Sequence, residues 1–240
     1  MSAKDSIGNR MKANYESRFR HYLTRRTPII VRVDGRAFHT FTKDLDKPFD
    51  KNFIGSMIES AWAVAQDMHG CKAFYVQSDE ASFFLTDYDT LHTDAWFDGN
   101  MAKINSVAAS AMTAHFNEQM VSSLAMFDSR CFNVPREEVV NYFIWRMRDW
   151  ERNSIQMLAQ ANFPHSELQG KKTPELHEML HQKGINWADL SGSLKNGTLA
   201  VRDESSPTGY TRVDNPPRDY EGLSEILNPF VYCDKDEVRR

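Results

Sequence analysis

The chain has 240 residues, 41% of them hydrophobic and 12% aromatic, which is enough for one large domain or one domain plus an appendage and argues against wholesale disorder. A net charge of −4 does not advertise a nucleic-acid binder, although a local basic face would suffice for one. Three cysteines with no CxxC pair, Cys71, Cys131 and Cys233, argue against a disulfide framework and a zinc site and favour a reducing, cytoplasmic setting. The sequence has no run of ~18 apolar residues and no apolar signal core at its start, so no membrane association is expected.

Residues 1–26 are basic, with seven Lys/Arg against two Asp/Glu. "PIIVRVD", residues 28–34, is apolar and β-branched, as a buried strand requires. A polar loop containing "KPFD" follows. The next stretch places Phe53, Ile54, Met57, Ile58, Trp62, Ala65 and Met68 on one helical face, and Gly70 stops that helix. "KAFYVQ" (72–77) and "ASFFLTD" (81–87) read as strands joined by a short hairpin link. A second helix is expected within 95–120, with Met101, Ile104, Ala108, Ala111 and Met112 facing inward. Residues 124–135 supply a fourth strand, and a third helix runs from about 136 to 161.

The order β-α-β-β-α-β predicts an α+β fold: a ferredoxin-like palm with an antiparallel sheet and helices on one face. Residues 1–135 form the palm-like domain in this reading, and residues 136–202 a helical region completing it. Within the latter, Thr173, Pro174 and Gly184 read as N-cap, first-turn proline and stop of a short helix, and 194–202 as a turn into a strand. Residues 203–240 are rich in Pro, Ser, Asp and Glu and read as a weakly structured extension with one short helix near 221–227.

In this topology the first and third strands are adjacent. Asp34, at the end of the first, therefore lies near Asp79 and Glu80 in the "QSDE" hairpin, although 45 residues separate Asp34 from Asp79. Two converging carboxylates repel and raise each other's pKa, and a divalent cation removes that penalty. Mg²⁺ favours a few carboxylates plus substrate phosphates, and a pair of such ions suits in-line phosphoryl displacement. Gly35 lets the backbone approach closely. The plainer readings stand beside this one: Asp-Gly after a strand is ordinary turn chemistry, and an Asp-Glu pair in a hairpin is commonly solvated.

"VRVDGRAFHTF", "KPFD" and "QSDEASF", in this order, resemble the signature of the tRNA-histidine guanylyltransferase family and its bacterial, archaeal and phage-type relatives, the 3′-to-5′ nucleotide-adding enzymes. The resemblance runs from "MKANYESR" at 11–18, weakening, to "KNGT" at 195–198. It implies a palm with two Mg²⁺ ions held by Asp34, Asp79 and the Gly35 carbonyl, with Glu80 a further acidic residue needed for activity. It implies a nucleotide pocket lined by Arg36, Ala37, Phe38 and His39, with Lys47, Asp50 and Ser78 near the triphosphate and Lys103 a more loosely aligned basic position. Phe38 also suits a plain core aromatic, and Lys47 a solvated loop lysine.

One stretch departs from the family. Eukaryotic members carry His-Ile-Asn-Asn where this chain has Glu151, Arg152, Asn153 and Ser154, so only Asn153 survives. That favours relatives that add nucleotides opposite a template to repair 5′-truncated tRNA, over addition of the single extra guanosine to tRNA-His. The implied chemistry is phosphoryl transfer: ATP or GTP activates a 5′-monophosphate RNA end, and the 3′-OH of an incoming GTP or other NTP attacks it. Pyrophosphate is then removed. RNA contacts are expected at Arg18, Arg20, Arg25, Arg26, Asn153, Lys171, Lys172 and Lys195, although charge runs are often merely solvated faces. The family resemblance implies a homo-tetramer. The rival readings are a palm-type nucleotide cyclase and a non-catalytic RNA-binding module.

Overall fold

The computed structural model describes residues 6–121, 123–213 and 215–233. In chain order the elements are α1 (Ser6–Asn14), β1 (Ile29–Gly35), α2 (Phe38–Phe41), α3 (Lys51–Asp67), β2 (Cys71–Gln77), β3 (Glu80–Leu85), α4 (Met101–Gln119), β4 (Phe127–Asn133), α5 (Val139–Gln160), α6 (His165–Leu168), α7 (Thr173–Gln182), α8 (Gly192–Asn196), β5 (Thr198–Arg202), β6 (Tyr210–Val213) and α9 (Tyr220–Val231). No described helix is long and apolar enough to cross a membrane.

Six strands form one sheet in the order β4-β1-β3-β2-β5-β6, with every neighbouring pair antiparallel. The first four strands take the ferredoxin-like order expected from the sequence. Strand β1 is central because its β-branched run, Ile29, Ile30, Val31 and Val33, is buried on both faces. Its alternation sends Val31 and Val33 to one face and Ile30, Arg32 and Asp34 to the other.

Helices α3 and α4 cover the first face. Phe53, Met57, Ala61, Val64 and Ala65 of α3 and Ile104, Ala108, Met112 and Phe116 of α4 pack there against Val31, Val33, Phe74 and Phe83. Helix α3 starts where Asp50 Oδ1 accepts from Phe53 N at 2.8 Å. It stops at Gly70, whose φ of +79° is a left-handed value, and where a Cβ would stand 2.3 Å from the Thr86 carbonyl oxygen. The second face is covered too. Val140, Phe143 and Met147 of α5 and Leu223, Leu227 and Val231 of α9 pack on Ile30, Tyr75 and Phe84.

The far half of α5 leaves the sheet. Its Ile155, Leu158 and Ala159 build a third cluster with Leu176 and Leu180 of α7 and Trp187. The start of α7 differs from expectation by one residue. Lys172 is the N-cap, Thr173 is already helical, and the Glu175 carboxylate accepts from Lys172 N at 2.9 Å.

Residues 203–240, expected to be weakly structured, hold β6 and α9; residues 234–240 lie outside the described residues. The polar composition misled because Pro, Ser and Asp sit in the connections, whereas Leu223, Leu227 and Val231 repeat every fourth residue and are fully buried.

Candidate active site

The hairpin between β2 and β3 turns at Ser78 and Asp79. Ser78 adopts φ +47° and Ala37, just after β1, φ +57°; both are non-glycine residues in the left-handed region, a local strain that the surrounding structure must hold. Gly35 N donates to the Asp79 carbonyl at 3.0 Å, which clamps the end of β1 to the hairpin. Gly35 has no room for a side chain, since a Cβ would lie 2.3 Å from Phe38 Cδ2.

Asp34 pairs with Glu80 across β1 and β3, so the two side chains leave the same face of the sheet. Their environments diverge. Glu80 is buried and accepts twice from Arg146 of α5, Nε to Oε1 and Nη2 to Oε2, both at 2.7 Å. Burial pushes its carboxyl up, and the Arg146 and Arg32 charges pull it back. Glu80 thus fastens the hairpin to α5. Asp34 is about one-third exposed, with Arg130 Nη2 at 3.7 Å.

Asp79 is the uncompensated group. Its carboxyl is pushed up, first by burial and further by the charge of Asp34, while its own backbone N–H and Ser78 pull it down. Asp34 and Asp79 therefore sense each other, as the topology required. Among the described residues no three His, Cys, Asp or Glu side chains gather into a metal cage. Two carboxylates and a nearby carbonyl match the sparse protein donor set that Mg²⁺ takes when substrate phosphates complete its shell. The donors present fit that ion.

A cleft of about 590 Å³ opens at the hairpin, walled by Phe38, His39, Lys47, Asp50, Ser78 and Asp79 on the palm and by Met157 and Gln160 of α5. Six residues singled out in the sequence meet there. Phe38 is also a core ring, stacked on Phe41 at 4.9 Å and near Phe127 at 5.0 Å, so it belongs to the core and to the cleft wall at once. His39 is exposed and its Nε2 lies 3.1 Å from Thr40 Oγ1. Lys47 Nζ donates to the Thr42 carbonyl at 2.6 Å, which folds the loop back over the cleft. Asp50 is engaged as the α3 cap and also accepts from Asp46 N at 3.2 Å, so it shapes the loop. Arg36 and Ala37 are exposed beside Gly35, outside the cleft wall.

Asn153 shares the α5 stripe of Arg146 and Met157, seven residues after one and four before the other, and so faces the same side. Ser154 does not; it is buried and accepts from Trp187 Nε1 at 2.9 Å.

Several expected residues are elsewhere. Lys103 is in the first turn of α4, 5.8 Å from the Phe97 ring centroid. Met101 beside it lies at Cys131, whereas Thr113 reaches Phe127, opposite Gly35. Ten residues of helix, about 15 Å, separate Lys103 from Thr113, so Lys103 stands at a different level from the Asp34 end of β1. Arg25 Nε donates to the buried Asp87 at 2.6 Å and Arg26 N to its other oxygen at 2.8 Å, which makes this pair a structural tie. Arg20 pairs with Glu16, Lys171 with Glu175, and Lys195 Nζ donates to the Ala188 carbonyl at 2.7 Å. Arg18 and Lys172 are exposed.

Sequence reading missed Arg32, Arg130 and Arg146. The signal was there for Arg146: a charged residue inside the buried stripe Tyr142, Phe143, Met147, Trp150 needs a buried partner.

The sequence model of the tRNAHis guanylyltransferase family matches residues 8–135, just over half the chain. The chain belongs to that family. The tRNAHis guanylyltransferase family is one of nucleotidyltransferases, and the match runs from within α1 through β1 and the hairpin to just past β4. A probable tRNA(His) guanylyltransferase of Dictyostelium discoideum is 29% identical over 210 residues, 77% of this chain and 80% of that protein. A bacterial tRNA(His) guanylyltransferase-like protein, solved in complex with ATP, superposes with a TM-score of 0.88 at 42% identity, covering 95% of this chain and 100% of the other. Another such structure, in complex with GTP, gives 0.84 at 40% identity with the same coverage.

Proposed function

We propose that this protein adds nucleotides in the 3′-to-5′ direction to the 5′ end of tRNA or tRNA-like RNA, opposite a template. The observation that carries the reading is Asp79: a carboxylate on a strained hairpin, uncompensated, beside Asp34 and at the edge of the cleft. The two solved relatives described as complexes with ATP and GTP support a nucleoside triphosphate as occupant, and a cleft of about 590 Å³ suits one.

Asp34, Asp79 and the Gly35 carbonyl would hold Mg²⁺, which neutralises phosphate charge and makes a 3′-hydroxyl more acidic when bound. Lys47 faces the triphosphate with positive charge. Phe38 and His39 border the nucleoside, and the Arg146–Glu80 pair keeps the hairpin in register with α5. Asn153 stands on the cleft side of α5, where the activated 5′ end arrives. The replacement of the other three residues of that stretch favours templated repair over the single-guanosine reaction. A homo-tetramer, as the family resemblance implies, and a cytoplasmic setting, as the cysteine usage suggests, are part of this proposal.

The test is a tRNA transcript shortened at its 5′ end, with monophosphate or triphosphate termini, offered one nucleoside triphosphate at a time. Addition of only the nucleotide complementary to the facing 3′ strand is expected. Addition of guanosine alone, whatever the facing base, would instead establish the narrower reaction. A cyclic product formed without RNA would overturn the proposal.

A further inference from the structure

Trp145 of α5 is 51% exposed, whereas Trp96, Trp150 and Trp187 are at 8%, 3% and 6%. A single exposed aromatic is ordinary, but this one stands next to the arginines that bear on Glu80. It is also held in place. The Arg146 guanidinium carbon lies 4.5 Å from its ring centroid, that of Arg32 5.8 Å, and Tyr142 meets it edge-on at 5.8 Å. Such contacts orient the ring at little entropic cost to a ligand.

The same arginines locate it. Arg146 grips Glu80, the partner of Asp34 across the sheet, and Arg32 precedes Asp34 by two residues on the same face. The indole therefore stands on the sheet face that carries Glu80 and Asp34. Arg148 and Arg152 follow it at i+3 and i+7 on the exposed side of α5, with Asp149 at i+4 bridged to both Arg146 and Arg152. An aromatic face flanked by arginines suits an unstacked nucleobase with its phosphates.

We propose that Trp145 is a stacking platform for the base at the 5′ end of the RNA. This rests on the nucleotide-adding reading above and names the residue that receives the acceptor strand. The base lies on the indole, and its 5′ phosphate then points toward Asp34 and Asp79.

The experiment compares wild type, Trp145→Phe and Trp145→Ala on a hairpin RNA with a recessed 5′ end, carrying either a normal or an abasic 5′-terminal nucleotide. Trp145→Ala is expected to raise KM for the normal RNA about 10-fold, in line with the loss of one stacked base, and to leave KM for the nucleoside triphosphate unchanged. Trp145→Phe keeps most of the affinity. On the abasic RNA, wild type and Trp145→Ala behave alike. An equal loss on both RNAs, or no loss on either, overturns the platform. So does a change of particle mass in Trp145→Ala by light scattering, which would assign the indole to an interface between copies. If Trp145→Ala fails to fold, RNA quenching of indole emission decides: the quenched component must disappear in Trp145→Phe, and its persistence overturns the proposal. That binding readout needs no turnover. Wild type that adds nothing to any RNA, yet is quenched through Trp145, sinks the nucleotide-adding reading and leaves the platform standing.

Discussion

Arg146 and Glu80, 66 residues apart, form a buried two-point ion pair with both N···O distances at 2.7 Å. This pair joins the hairpin that carries Asp79 to the helix that walls the cleft. Removing one partner leaves the other charged and buried. Arg146→Ala is expected to lower unfolding stability by about 3–5 kcal/mol, read from urea denaturation. Replacing both, with Glu80→Gln and Arg146→Met, is expected to cost much less. Equal losses in single and double variants would show that the pair has no such role.

Asp34→Asn and Asp79→Asn are each expected to abolish nucleotide addition; the urea midpoint of Asp79→Asn holds or rises, because burial and Asp34 disfavour that charge, and that of Asp34→Asn changes little, since Arg130 at 3.7 Å faces Asp34. Activity in a purified, folded variant would remove that residue from the proposed metal site.

The pH dependence follows from Asp79. Its folded pKa is raised above the ordinary value of 3.8, so the native state holds this proton more tightly than the unfolded chain does. Its favourable contribution is present below 3.8 and is lost as pH rises through the raised folded pKa. Wild type should therefore lose stability relative to Asp79→Asn as pH climbs from acid toward neutral. Added Mg²⁺ should restore it at neutral pH and do little at acid pH. Parallel pH profiles of the two proteins would contradict this.

Gly35→Ala drives a methyl group into the Phe38 ring, which is itself packed against Phe41, Phe53 and Phe127. A loss of about 1–3 kcal/mol is expected from overpacking, with impaired nucleotide binding because Phe38 borders the cleft. Thermal unfolding and nucleotide titration check both. Asp34 and Gly35 are adjacent, so these effects separate only if Asp34→Asn stays stable.

Lys47 reaches the cleft on a loop that its own bond to Thr42 folds back. Lys47→Ala is expected to raise KM for the nucleoside triphosphate about tenfold, the loss of one charge-assisted phosphate contact. An unchanged KM would free Lys47 from the triphosphate.

The regular elements of the palm were legible because local pattern determines them. The β-branched run of β1, the helical stripe from Phe53 to Met68 and Gly70 after it each state their own structure. Asp34 and Asp79 were legible as a pair because the strand order leaves them one place to go. Glu80 was harder. Its position was evident, but its fate depended on Arg146, on a helix whose docking face no local pattern specifies. Lys103 shows a related limit: a basic residue on α4 carries no mark of which end of that helix meets the site.

By itself, then, the sequence determined the strand order, the central place of β1 and the meeting of Asp34 with the hairpin, since hydrophobic period and chain connectivity suffice for these. Only the tertiary structure decided which carboxylate is neutralised and which is left uncompensated. That difference comes from burial and from arginines distant in the chain, and charge compensation is a property of three-dimensional neighbours.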